Sequence, residues 1–342
     1  MSLPTTLLEY YNTNYTKCSK SFSIFSSPEF LSIGAKSQFF IIVPINLFGF
    51  YCIIFQTPKY MKEFQFHLFN MQFWFLMITI FYTILTTPYH FYPAEVRCSV
   101  GLFHELGISS RYQLYLINVV YGGIVSAVIL LFENRHRHLI PSTETFYKTN
   151  RTHRFLLGLL NFLIGSSNFW TIFLQDVIQE RQKLEYLKLV PCPTELYFDS
   201  CSSAFFRTPS IWNNIILVSS LIVPIQIVFF IAHSMMYLRK SHNMNAFSKR
   251  TKKLQKAFFQ AALAQVSSPI SALLIPLSLL IFILRTKQYL PGLINACILF
   301  IPSHSVFSTA ALIIFNVPYR VFVKKMLNMG TDTTNRVATV SS

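Results

Sequence analysis

Seven stretches of the chain, 38–56, 68–87, 112–132, 155–175, 212–238, 258–284 and 293–315, run for 19 to 27 residues without a single Asp, Glu, Lys or Arg. Few patterns restrict a fold more. At about 1.5 Å per residue, a helix of roughly 20 residues crosses the ~30 Å hydrocarbon core of a bilayer. A helix also satisfies its backbone polar groups within one segment, which lipid demands. The 52% apolar and 12% charged content fits the same class and not two or three soluble domains. The sequence thus predicts an all-α polytopic membrane protein, a seven-transmembrane helix bundle whose odd count puts its termini on opposite faces. Residues 1–30 lack the basic, apolar and small-residue succession of a cleaved signal peptide, so the first span is expected to direct insertion.

Orientation follows from the basic residues between spans. With the N-terminus outside, the inner segments hold 18 of the 29 Lys and Arg but only 4 of the 13 acids, leaving 11 and 9 outside. The segment 239–256 contributes most to this bias, with Lys249, Arg250, Lys252, Lys253 and Lys256 placed to extend the fifth and sixth helices and to meet anionic lipid or a partner. The expected division is an extracellular segment 1–37, a seven-helix bundle 38–315 and a cytoplasmic tail 316–342. In that tail Tyr319, Phe322, Val323, Met326 and Leu327 recur at helical spacing, as in a short amphipathic helix on the membrane surface. The net charge of +16 lies between apolar runs and forms no stripe, so it gives no reason to expect nucleic acid.

The outer segments carry their own signals. Asn14-Tyr15-Thr16 is a glycosylation sequon on the outer side, whereas Asn150-Arg151-Thr152 would face the cytosol and stay bare. Cys18, Cys98, Cys192 and Cys201 all fall outside, where disulfides persist. A bridge from Cys98 to the long loop 176–211, which holds Cys192 and Cys201, is expected, with the pairing left open among three possibilities. Cys52 and Cys297 lie in spans as small apolar residues. Between the second and third spans, Pro88 to Pro93 and Gly101 to Gly107 suggest a proline-bounded turn and a short helix near the membrane surface.

The third span, Tyr112 to Phe132, ends directly in Glu133-Asn134-Arg135. Such a group is either a membrane-edge anchor with snorkelling side chains or a switch, in which Arg135 pairs with Glu133 or a neighbouring helix in one state and turns to a cytoplasmic partner in the other. In the seventh span His304 is an intramembrane ionisable group, a functional candidate unless it simply bonds a neighbouring helix. Pro269 and Pro276 remove backbone bonds from the sixth span and are expected to kink it.

Several separated motifs, taken together, resemble the nematode chemoreceptors of serpentine receptor class H. They are Pro88 to Pro93 followed by Gly101-Leu102 and Gly107, Gln113 opening the third span, and Phe132-Glu133-Asn134-Arg135 closing it. Gln265-Val266-Ser267-Ser268-Pro269 with Pro276, Ser303-His304 with Ser308-Thr309, and Pro318-Tyr319-Arg320 complete the series. Ser305 departs from the pattern, where glycine would follow the histidine. The resemblance implies a chemosensory G-protein-coupled receptor of the plasma membrane, in the cilia of sensory neurons. It would bind a small-molecule ligand and a heterotrimeric G protein, with Glu133, Asn134, Arg135, Pro318, Tyr319 and Arg320 at the coupling end.

A pocket is expected between the outer halves of the helices, with Tyr112, Tyr115, Asn118, Trp170, Gln175, Trp212 and Asn213 supplying aromatic walls and a few polar groups, and His304 deeper. The scarcity of charge there points to a neutral or apolar, odorant-like molecule. Other classes fit less well. A transporter or a ligand-gated channel of similar helix count is the alternative, but no repeat symmetry or intramembrane acid supports it. His136, His138 and His153 are better explained by a basic inner loop than by a metal site, and no nucleophile elbow or phosphate-cradling loop is present. No enzyme activity, metal or cofactor is expected.

Overall fold

A computed structural model describes residues 6–18, 23–139, 151–166, 179–190, 192–205, 210–243 and 249–327. Among them five helices are long and apolar enough to cross a membrane, spanning Pro28–Phe55, Lys59–Leu85, Ser110–His138, Phe259–Thr286 and Pro291–Phe315. Arg151–Ser166 and Ser210–Asn243 are the described helices of the remaining two runs.

In chain order, α1 is Leu7–Thr13 and α2 is Pro28–Phe55. The latter begins ten residues before the uncharged window because Ser27 caps it, its hydroxyl accepting from the Phe30 amide, with Pro28 in the first turn and Glu29 facing the helix dipole. Helix α3, Lys62–Ile80, continues through a π turn at Phe81–Leu85 into β1, Pro88–His90, which pairs antiparallel with β2, Val96–Ser99. A short α4, Leu102–Glu105, precedes α5, Ser110–Leu139. Two glycines have distinct duties here: a Cβ on Gly101 would lie 2.7 Å from the carbonyl oxygens of Ile84 and Leu85, and Gly107 adopts φ +72° just after α4.

Helix α6 is Arg151–Ser166, α7 is Gln179–Tyr186, and β3, Ser203–Ala204, completes a three-stranded sheet on β2. This sheet was not anticipated; strands of two to four residues leave no readable alternation. Helices α8, Ser210–Asn243, and α9, Lys249–Thr286, run well past their uncharged windows, and α9 is continuous through Pro269 and Pro276. The seventh run divides into α10, Pro291–Phe300, a 3₁₀ turn at Ile301–Ser303, and α11, His304–Phe315. Residues 317–327 form α12, with Tyr319 buried and residues 324–327 exposed.

Helix α5 is the central element, packing on α3, α6, α8 and α9, while α11 packs on α2, α3 and α9. Large apolar side chains such as Phe40, Phe55, Leu156, Ile225 and Phe282 face outward, as a lipid solvent permits. Two apolar cores sit at opposite ends. One joins Leu31, Tyr89, Phe91, Tyr197 and Ile294 beneath the sheet; the other joins Cys52, Leu68, Phe132, Val266 and Tyr319. Between them lies a buried polar hub. Gln72 Nε2 donates to Asn46 Oδ1 at 2.7 Å and to Thr309 Oγ1 at 2.6 Å, and Ser305 Oγ receives from Asn46 and Thr79 at 3.1 and 2.9 Å. Ser305 is itself buried and donates to the Pro302 carbonyl, so a hydroxyl occupies the position where the resemblance would put glycine and knits three helices together.

Candidate functional site

At the sheet-bearing end, two disulfides fasten a cap over the bundle. Cys18 bonds Cys192 and Cys98 bonds Cys201, so the N-terminal segment and both long connections are tied together. Tyr11, Tyr15 and Phe198 pack ring on ring beside the first bridge. His104 brings a ring nitrogen near Cys98 and Cys201, but a metal needs thiolates and both sulfurs are consumed in the bridge. Within the cap a cavity of about 500 Å³ is walled partly by Glu29, Glu195 and Asp199. Reading the spans alone missed it, because its acids lie outside every apolar run.

The expected aromatic pocket is only partly described. Tyr112 is 57% exposed in the first turn of α5, Tyr115 packs against Leu114 and Phe205, and Asn118 Nδ2 donates to the Leu114 carbonyl of its own helix. Trp170 and Gln175 lie outside the described residues; Trp212 and Asn213 lie in α8 with side chains that are likewise outside them. His304 sits deeper, its Nδ1 donating to the Ile301 carbonyl at 2.7 Å and its ring edge-on to Phe75. Asn14 is exposed on the cap, and Asn150 falls outside the described residues.

At the other end Glu133, Asn134 and Arg135 do not project into the open but are buried among the helices, at 3%, 1% and 4% exposure. The helix continues through them to Leu139. Glu133 does not pair with Arg135. Its Oε2 instead accepts from Nε of Arg154 at 3.0 Å, and Arg154 Nη2 donates to Asn134 Oδ1 at 3.1 Å and to His67 Nε2 at 2.9 Å. One guanidinium thereby joins α3, α5 and α6, a fork geometry only arginine supplies. Since His67 Nε2 accepts, the ring proton belongs on Nδ1.

Arg135 lies instead over the Phe64 ring, its Cζ 3.8 Å from the centroid, a cation–π contact in a desolvated place. His138 Nε2 reaches Glu63 at 3.2 Å, and His136 meets His233, linking α5 to α8. Tyr319, fully buried, shares a 2.7 Å hydrogen bond with Thr57, and Arg320 Nη1 donates to the Ile314 carbonyl at the end of α11. Burial raises the Tyr319 phenol above its ordinary range, while the Thr57 hydrogen bond and nearby Arg135 oppose that shift. Pro318 is half-buried beside it. The sequence contained one faint sign of Arg154: it is the last charge before the fourth apolar run, where an α5–α6 hairpin would set it beside Glu133.

The arrangement is a closed ionic latch across three helices at one end and a covalently stitched cap at the other. The family model described as "Serpentine type 7TM GPCR chemoreceptor Srh" matches residues 26–329. A Caenorhabditis elegans protein named serpentine receptor class H-72 is 26% identical over 332 residues, covering 94% of this chain and 92% of its own.

Proposed function

The chain belongs to the serpentine seven-transmembrane chemoreceptor family Srh, a multi-pass membrane receptor family, and from that premise we propose that it signals a small external ligand to a heterotrimeric G protein. The N-terminus and the cap face outside, at the plasma membrane and, by family, in the cilia of sensory neurons. The ligand enters at the cap end. The G protein meets the opposite end, where Glu133, Asn134, Arg135 and the Pro318-Tyr319-Arg320 segment lie. The charge bias of the connections and the clustering of all four disulfide cysteines at one end support this orientation.

The observation that carries the reading is the buried Arg154–Glu133 latch beside Arg135. A charge-assisted pair linking three helices has two discrete arrangements, made and broken, which is what a switch needs. Ligand can favour the open arrangement only by binding it more tightly than the closed one. Arg135→Ala is expected to abolish ligand-dependent G protein activation, scored in cells carrying a promiscuous G protein reporter, while surface expression persists. Full signalling by that variant would sink the coupling role. Glycan mapping tests orientation: a glycan on Asn14 fits it, and one on Asn150 overturns it.

A further inference from the structure

On the lipid-facing side of the latch, α3, α5 and α6 enclose a groove of about 290 Å³. Its walls include Trp74, Gly123, Ser126, Gly158 and Leu159, and Arg154 is the first of the α6 residues that line it. From Arg154 to Phe162, both lining residues, is eight residues, about 12 Å of helix. That covers most of the ~15 Å thickness of one leaflet's hydrocarbon. Phe155 and Leu159, on the outer rim, are 68% and 41% exposed, so the groove opens sideways toward acyl chains and not toward water. Glycine keeps it open: a Cβ on Gly158 would already approach Leu130 Cδ1 to 3.0 Å and Ser126 Oγ to 3.4 Å.

We propose that this groove is a binding site for one acyl chain of an anionic glycerophospholipid whose phosphate is held by Arg154. Charge selects the occupant. The Arg154 side chain keeps 22% exposure, its Nε and Nη2 serve Glu133, Asn134 and His67, and Nη1 makes no hydrogen bond to any described residue. Arg151, exposed one turn earlier, adds to the field, and Arg135 and Arg137 lie on the neighbouring helix, against the two acids Glu63 and Glu133. A phosphate has the acceptors and planar match that a guanidinium edge favours, and a sterol hydroxyl has neither the charge nor the second oxygen. Occupancy would draw on the same guanidinium that holds Glu133, so the lipid acts on the latch directly. The inference rests on the chain spanning a membrane, not on the orientation or the receptor reading.

The test uses the full chain in lipid nanodiscs with a photoactivatable acyl-chain phosphatidylserine, its phosphatidylcholine counterpart and a photoactivatable sterol, with adducts mapped by mass spectrometry. The serine lipid is expected to label the α3–α5–α6 groove about fivefold more than the choline lipid, the factor equivalent to roughly 1 kcal/mol per basic residue near a membrane surface. Leu159→Trp, outside the latch and on the rim, should remove groove labelling and leave labelling of the α8 and α9 outer faces unchanged; Arg154→Gln should erase the headgroup preference. Equal labelling by both phospholipids, adducts spread evenly over all lipid-facing helices, groove labelling that survives Leu159→Trp, or stronger labelling by the sterol would overturn the proposal. Crosslinking needs neither ligand nor G protein, so its failure leaves the signalling reading untouched.

Discussion

The latch can be separated from its surroundings by a double-mutant cycle on Glu133→Gln and Arg154→Ala. Glu133 is 4% exposed at its side chain and Arg154 22%, with Nε and Oε2 3.0 Å apart. Removing the guanidinium leaves a carboxylate in a nearly dry site, which costs about 3 kcal/mol, the low end of the range for a broken buried pair because Arg154 keeps some contact with water. Glu133→Gln should cost less, since the amide oxygen still accepts from Nε and Arg154 retains Asn134 and His67. With the carboxylate gone, deleting Arg154 no longer strands a charge, so the double variant should be more stable than the sum of the singles by at least about 1 kcal/mol. Cys52 and Cys297, both buried and reduced, provide the assay, because a thiol-reactive dye reports their exposure as the purified protein is heated. Additive costs within about 0.5 kcal/mol would refute the idea that Glu133 and Arg154 act as a pair. Under the proposed function, a latch worth about 2 kcal/mol holds the open arrangement down about 30-fold, so Glu133→Gln should raise ligand-free G protein activation.

Further outcomes follow from packing and titration. Gly123→Ala would place a methyl 2.2 Å from Trp74 Cδ2, so the indole or α5 must move; a loss of about 1–3 kcal/mol is expected in the same thermal assay, and an unchanged melting temperature would contradict the close approach. Cys98→Ser opens a bridge across 103 residues and should destabilise the cap by up to about 4 kcal/mol, read as faster proteolysis of the connection holding Cys201. Burial, with Arg97 adding, holds His90 in the cap well below its ordinary 6.5. The folded cap therefore keeps His90 neutral while the opened cap takes up a proton; stability is full above about pH 6.5 and falls as pH drops, by up to about 1.4 kcal/mol per unit. Glu95, raised by burial, works with the opposite sign, and Tyr92 stacks on the ring. Rate-corrected hydrogen exchange over 88–99 should thus quicken between pH 7.5 and 5.5, and His90→Gln should flatten that dependence.

Absence of charge located the spans, and for the same reason it misplaced their ends. Helix α2 includes Glu29 and Lys36, and α5 includes Glu133 through His138; Glu29 is favoured by its place in the first turn beside the capping Ser27, Glu133 by its ion pair with Arg154 and Arg135 by the Phe64 ring. A window that stops at the first charged residue cannot see that compensation. Glu133 was legible as a candidate because an acid at the end of an apolar run is unusual; its partner was not, since pairing with Arg154 depends on how α5 and α6 lie side by side. Likewise the four bridged cysteines were visible as a set, but Cys18 with Cys192 is a pairing over 174 residues that only the folded cap decides. The acids of the cap cavity, Glu29, Glu195 and Asp199, come from segments that no local pattern joins.

The two interlocked bridges also dictate an order of assembly. At roughly 5–20 residues per second, about 10–35 s separate the synthesis of Cys18 from that of Cys192. Cys18 waits through all of that interval and Cys98 through its later part, with no native partner made for either, and apart from Cys52, which is buried in α2, each is the nearest wrong choice for the other. Once closed, the bridges turn residues 18–201 into a stretch of chain that one protease cut cannot part: any nick between Cys18 and Cys201 leaves the fragments joined by at least one of them. A clipped molecule would therefore migrate as one species until reduced, and its helices could keep working together after the polypeptide linking them had been severed.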